Sequence, residues 1–217
     1  MKNLFLGLLT LICGQHLTFG QKTINIDDYG KYHNEILSLM YNNGQLKEVT
    51  ADEMVDKVTS LLIEKHGDEF KNVDVSEIKA IFSGISYKNF NFETFWNRNK
   101  TDLIRNGKLP SDIAFLFDKI LSSKLDFSHA VSEIQRFKDS NKLTNESMKS
   151  LQILENVLES SNQYWNSSEV TNNTLAKHGT GTILADGMGA LCFCYSGPLS
   201  IICGCVCSMI DNEANKP

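Results

Sequence analysis

The chain has 217 residues, with 41% apolar and 22% charged side chains and a formal net charge of −5. That balance lies in the ordinary globular range and excludes wholesale disorder. An isoelectric point near 5.5, with 18 Lys against 3 Arg, leaves no basic footprint for nucleic acid and little means of bidentate phosphate recognition.

The N-terminus has Lys2, an apolar run over 4–13 and a small residue, Gly20, before Gln21. This matches a secretory signal peptide over 1–20 and predicts export to the cell envelope or the extracellular space. A lipoprotein signal acylated at Cys13 competes less well, because Thr10-Leu11-Ile12 puts no small residue directly before the cysteine. Removing 1–20 leaves a net charge of −6, too acidic to be held on anionic lipid by charge alone. The excess of Lys over Arg and the 20 Asn suggest an AT-rich genome and a bacterial source.

Residues 21–165 read as a domain of successive helices. The spacing predicts a first helix over about 27–43 with Tyr32, Ile36, Leu39 and Met40 on one face. A second opens on Thr50-Ala51-Asp52-Glu53, a capping box, and continues through Val55, Val58, Leu61 and Leu62. A third starts near Asp74 and buries Ile78, Ile81, Phe82 and Ile85; a fourth, 92–105, carries Phe92, Phe95, Trp96, Leu103 and Ile104. Pro110-Ser111 begins a fifth with Ile113, Leu116, Phe117, Ile120 and Leu121, and Asp126 a sixth with Ala130, Val131, Ile134 and Phe137. Thr144 caps a longer seventh striped by Met148, Leu151, Leu154, Val157 and Leu158. Gly44, Gly67, Gly84 and Gly107 stand where these patterns run out, as helix-ending glycines do. No stretch alternates apolar and polar residues as a strand would. The fold class expected is all-α, a helical bundle followed by a Gly/Cys-rich apolar helical hairpin.

The polar run 166–174 reads as a linker, 175–210 as the hairpin and 211–217 as a polar tail. Within 183–210 Asp186 is the single formally charged residue. Gly181, Ala185 and Gly189 lie four apart in the first arm, and Ser196, Ser200, Gly204 and Ser208 lie four apart in the second. Such small-residue rows let helix backbones approach closely. Pro198 suits the first turn of the second arm, where its missing N–H costs nothing.

The run ADGMGALCFCYSGPLSIICGCVCSMI resembles the C-terminal glycine-zipper hairpins of small, uncharacterised exported bacterial proteins, with Cys standing where Gly or Ala is usual. Tyr29-Gly30-Lys31-Tyr32-His33-Asn34-Glu35 is similar to the opening helix of secreted bacterial proteins. The resemblance implies membrane association or self-association and supplies no catalytic residue. Two arms of about 13 residues reach about 20 Å each and fall short of a hydrocarbon core of about 30 Å; one helix kinked at Pro198 would reach about 42 Å. Burial of the hairpin inside the bundle stands beside membrane insertion as an alternative.

Cys192, Cys194, Cys203, Cys205 and Cys207 are an odd set, so at least one stays free or pairs between chains. Three readings remain: small apolar filler, a disulfide joining Cys192 or Cys194 to Cys203 or Cys205, and a thiolate metal site. C-x-C on a helix points its thiols about 200° apart and chelates poorly, so no metal or cofactor is expected. His33 reads as a hydrogen-bonded structural histidine, with acid/base work as its alternative. Asp126, His129 and Glu133 share a helical face, and His129 with Glu133 has i, i+4 ligand spacing; a solvated face is the simpler reading. His66, in the last turn before Gly67, suits the helix dipole, and Phe90, Phe92, Phe95 and Trp96 read as core. The function expected is a non-enzymatic exported protein whose hairpin, 183–210, mediates self-association or membrane contact. The alternatives are a pore-forming or bacteriocin-like toxin whose body masks the hairpin, and an enzyme using His33 or the Asp126, His129, Glu133 face.

Overall fold

A computed structural model describes residues 24–42, 46, 49–86, 90–122, 127–167 and 180–214. The signal segment, Gly44, Asp126, most of the linker and the end of the tail lie outside them. The described residues form helices and connections and no strand, so the protein is all-α.

Local chemistry accounts for the helix starts. A short 3-10 turn, Ile26–Asp28, leads into α1 (Tyr29–Asn42). At α2 (Ala51–His66) the capping box forms: Thr50 Oγ1 accepts from the Glu53 amide, and Glu53 Oε2 accepts from the Thr50 amide at 2.8 Å. Helix α3 (Ser76–Phe82) begins two residues later than expected, with the Asp74 carboxylate accepting from the Ser76 amide. Asn91 caps α4 (Phe92–Arg105). Helices α5 (Ser111–Ser122), α6 (Phe127–Ser140) and α7 (Asn145–Trp165) follow, the last capped by Thr144. The hairpin is α8 (Thr180–Cys192) and α9 (Pro198–Ala214). Gly197 takes a φ of 53°, and Pro198 occupies the first position of α9.

The hairpin arms run antiparallel through the middle of the molecule. Helix α1 lies against α7 and α9, α7 against α8, and α2 against α9 with α3 on its outer side. Helices α4, α5 and α6 complete the wrapping, with α4 and α6 reaching α8, and α5 and α6 reaching α7. Every residue of 182–194 and of 200–212 is buried. Among the described residues no helix is long and apolar enough to cross a membrane.

Several expectations change here. Among the described residues one hydrophobic core runs from Ile24 to Ile210, so the hairpin over 183–210 shares its core with the helices of 24–165. A single helix kinked at Pro198 does not occur, because the chain reverses over 193–197. Ser196 lies in that turn, half-buried, and drops out of the helical row. On α6 the apolar face turns on Ala130 and Ile134 and leaves Val131 exposed. Phe95 and Trp96 are core, with the Trp96 indole donating to Asp118 Oδ1 at 2.6 Å.

Candidate functional site

The hairpin meets the body at a polar seam built around Asp186. Helix α1 brings His33 to this seam, α7 brings Ser161 and Trp165, and α9 brings Ser208; all are buried. Asp186 Oδ2 accepts from Ser161 Oγ and, at 3.2 Å, from Trp165 Nε1. His33 Nε2 lies 3.6 Å from the same oxygen, just beyond hydrogen-bond range. Ser208 Oγ lies near the carboxyl but makes no hydrogen bond, and neither do Asp186 Oδ1 and His33 Nε2.

Proton positions follow from the surrounding network. Asn34 Nδ2 donates to the Ser160 carbonyl at 2.7 Å, which turns Asn34 Oδ1 toward His33 Nδ1 at 3.1 Å. Nδ1 therefore carries the hydrogen, and Nε2 presents a bare lone pair to Asp186. Burial pushes the Asp186 carboxyl up to about 8, against the opposing pull of the neighbouring Ser161, Ser208 and Trp165 groups. Burial also takes the His33 imidazole down to about 4, with the Asn34 hydrogen bond acting the other way. At neutral pH an uncharged acid thus faces an uncharged imidazole, the cheapest way to hold two titratable groups away from water. A second polar pair sits farther along the hairpin, where Thr182 Oγ1 donates to Asp211 Oδ2 at 2.9 Å. Beyond it Asn212 Nδ2 donates to the Tyr41 hydroxyl at 2.8 Å, tying α9 to α1.

The small residues of the hairpin differ in what they do. A Cβ on Gly189 would lie 2.6 Å from the Cys203 carbonyl oxygen and 2.8 Å from Gly204 Cα, so the two backbones touch there. A Cβ on Gly204 would meet the Asp186 carbonyl oxygen at 3.3 Å and His33 Cδ2 at 3.5 Å. Gly181 is looser, with Asp211 Oδ2 at 3.8 Å. Ala185 is buried, and Ser200 Oγ donates to the Ala190 carbonyl at 2.6 Å, setting the register of the arms. Sequence reasoning missed Gly187, which faces the Leu154 and Leu158 side chains, and Gly30, which admits α7 within 2.7 Å of its Cβ position. It also missed Ser161 and Trp165. Their signal was a serine and an indole continuing the Leu154, Leu158 stripe at helical spacing.

The five hairpin cysteines are buried and free in this structure. Cys194 Sγ lies 3.2 Å from Ser150 Oγ, and Cys205 Sγ donates to the His33 carbonyl at 3.7 Å. Among the described residues no group of three or more His, Cys, Asp or Glu could hold a metal ion. His129 is exposed, Asp126 lies outside the described residues, and the Glu133 carboxylate is taken by Lys119 and Arg136. His66 stacks on Tyr32 with ring centroids 3.9 Å apart, and its Nε2 lies 3.1 Å from Glu35 Oε2. On the surface, a groove of about 590 Å³ between α5 and α6 has Phe115, 68% exposed, at its lip. No protein-family model, curated protein or solved structure matches the chain.

Proposed function

We propose that this is an exported, non-enzymatic membrane-contact protein whose helical body sheathes the apolar hairpin until the body opens. The observation that carries the reading is the complete burial of 182–194 and 200–212 with Asp186 held neutral, which leaves that stretch no formal charge short of Asp211. An ionised aspartate at the centre of a bilayer costs roughly 3 kcal/mol, and a protonated one avoids most of that cost. Arms of 13 and 17 residues reach about 20 and 26 Å, so the released hairpin embeds in lipid without crossing it. Self-association through 183–210 requires the same opening. Enzymatic use of His33 fits less well, because the seam is sealed from substrate.

The test is flotation with phosphatidylcholine vesicles, chosen because an acidic chain is repelled by anionic lipid. A staple from Gly187→Cys and Leu158→Cys, whose native positions touch, fixes α8 to α7 when oxidised. Under mild urea that opens the body, wild-type protein floats with the vesicles, the oxidised staple stays in solution, and reduction restores flotation. The second reading, a hairpin that is permanent core, is favoured by the Gly189 backbone contact. It becomes the conclusion if opened wild-type protein never floats.

A further inference from the structure

The hairpin arms bring Cys192 and Cys203 to the same seam between them. Gly189 lies against the backbone of Cys203 and Gly204, and Cys192 is one helical turn beyond Gly189 on that same face. The Ser200 to Ala190 and Thr182 to Asp211 hydrogen bonds hold the arms in a register that sets Cys203 level with Gly189 and Cys192 one turn nearer the hairpin turn. The Cys192 and Cys203 thiols are near enough to shift each other's ionisation, as are those of Cys203 and Cys207. We propose that Cys192 and Cys203 are a disulfide-forming pair that staples the two arms of the hairpin.

Elimination supports this pairing among five cysteines. Cys203 and Cys207 are one turn apart on a single helix, where Cβ atoms stand about 5–6 Å apart, and a disulfide needs about 3.5–4.5 Å. Cys194 is directed to Ser150 Oγ and the Lys108 carbonyl, and Cys205 to the His33 carbonyl. One pair and three thiols is thus the partition that these contacts leave among the five.

Formation consumes an organic disulfide, oxidised glutathione or the disulfide of a thiol oxidoreductase. The two cysteines lose two protons and two electrons and gain the Sγ–Sγ bond, while the donor disulfide breaks and leaves as two thiols. In the reduced protein the neighbouring Cys203 and then burial raise the Cys192 thiol, and burial raises the Cys203 thiol, both well above the usual range, so little thiolate exists once the body is closed. Oxidation therefore belongs to the chain before the body closes over the hairpin. The staple is independent of whether the hairpin ever meets lipid, since it joins the arms to each other and not to the body.

The full chain is unfolded in reductant, refolded in mixed oxidised and reduced glutathione, then denatured and alkylated with N-ethylmaleimide. Chymotryptic cleavage at Tyr195 and Leu199 separates the arms. The expected result is a cross-linked peptide pair, localised by fragmentation to Cys192 and Cys203, with three hairpin thiols alkylated. Oxidation also raises the urea midpoint of wild-type protein. Cys203→Ser loses both the link and the shift, while Cys205→Ser and Cys207→Ser keep them. Five alkylated hairpin thiols in oxidatively refolded wild-type protein, or a link localised to any other pair, overturns the proposal. The wild-type result is decisive even where a variant folds poorly.

Discussion

Asp186 and His33, each shifted by its own burial, together hold one proton across most of the working pH range. Folded, the pair is singly protonated between about 4 and about 8; unfolded, the same two groups are singly protonated between 3.8 and 6.5. The proton counts therefore differ only from pH 6.5 to 8, where the folded state holds one more. Stability falls with rising pH wherever the folded state binds the extra proton, so this window costs about 2 kcal/mol and the pair is neutral to stability below it. Wild-type urea titrations should decline between pH 6.5 and 8. In Asp186→Asn the decline disappears and an acid loss appears between pH 6.5 and 4, because His33 then charges only in the unfolded chain. An unchanged profile in that variant would show that the seam does not carry the proton. None of this was legible from His33 itself: the sequence places it beside an apolar stripe, and its partner lies 153 positions away. What distinguishes a structural histidine from this one is the Asn34 amide that strips Nε2 of its hydrogen.

At the scale of the elements, the first seven helices could be read from the chain because each carries its own local instructions. The Thr50 and Glu53 box, the Asn91 and Thr144 caps and the stripes at period 3.6 act within a few residues. The small-residue rows were less legible, since spacing shows that backbones can approach and not which position is in contact. Contact geometry now orders the substitutions. Gly189→Ala pushes a methyl into backbone atoms that cannot rotate away and should cost about 1–3 kcal/mol. Gly187→Ala meets two leucine side chains and should be milder, and Gly181→Ala, which meets only Asp211 Oδ2 at an ordinary 3.8 Å, should gain up to about 1 kcal/mol of helix propensity. Thermal melts of the three variants test the order; equal melting temperatures would mean that the arms are not in contact at Gly189.

For the molecule as a whole, the composition of 183–210 marked an apolar segment but could not show what covers it. A helix that is apolar all round is suited equally to lipid and to the centre of a bundle, and the difference lies in the stripes of α1, α2 and α7 that face it. Because body and hairpin share one core, removing the hairpin uncovers the inner faces of those helices together. A chain ending at residue 167 should keep helical far-ultraviolet circular dichroism, lose its near-ultraviolet signal and bind the dye ANS. A cooperative melt with normal near-ultraviolet bands from that fragment would show that the body has a core of its own. The order of the segments has a further consequence for how the protein is made. The helices that wrap are translated before the pair they wrap, so the early chain lacks the apolar segment that its inner faces cover. The shared core is therefore completed only when the second arm has been made, which places closure of the body late in synthesis.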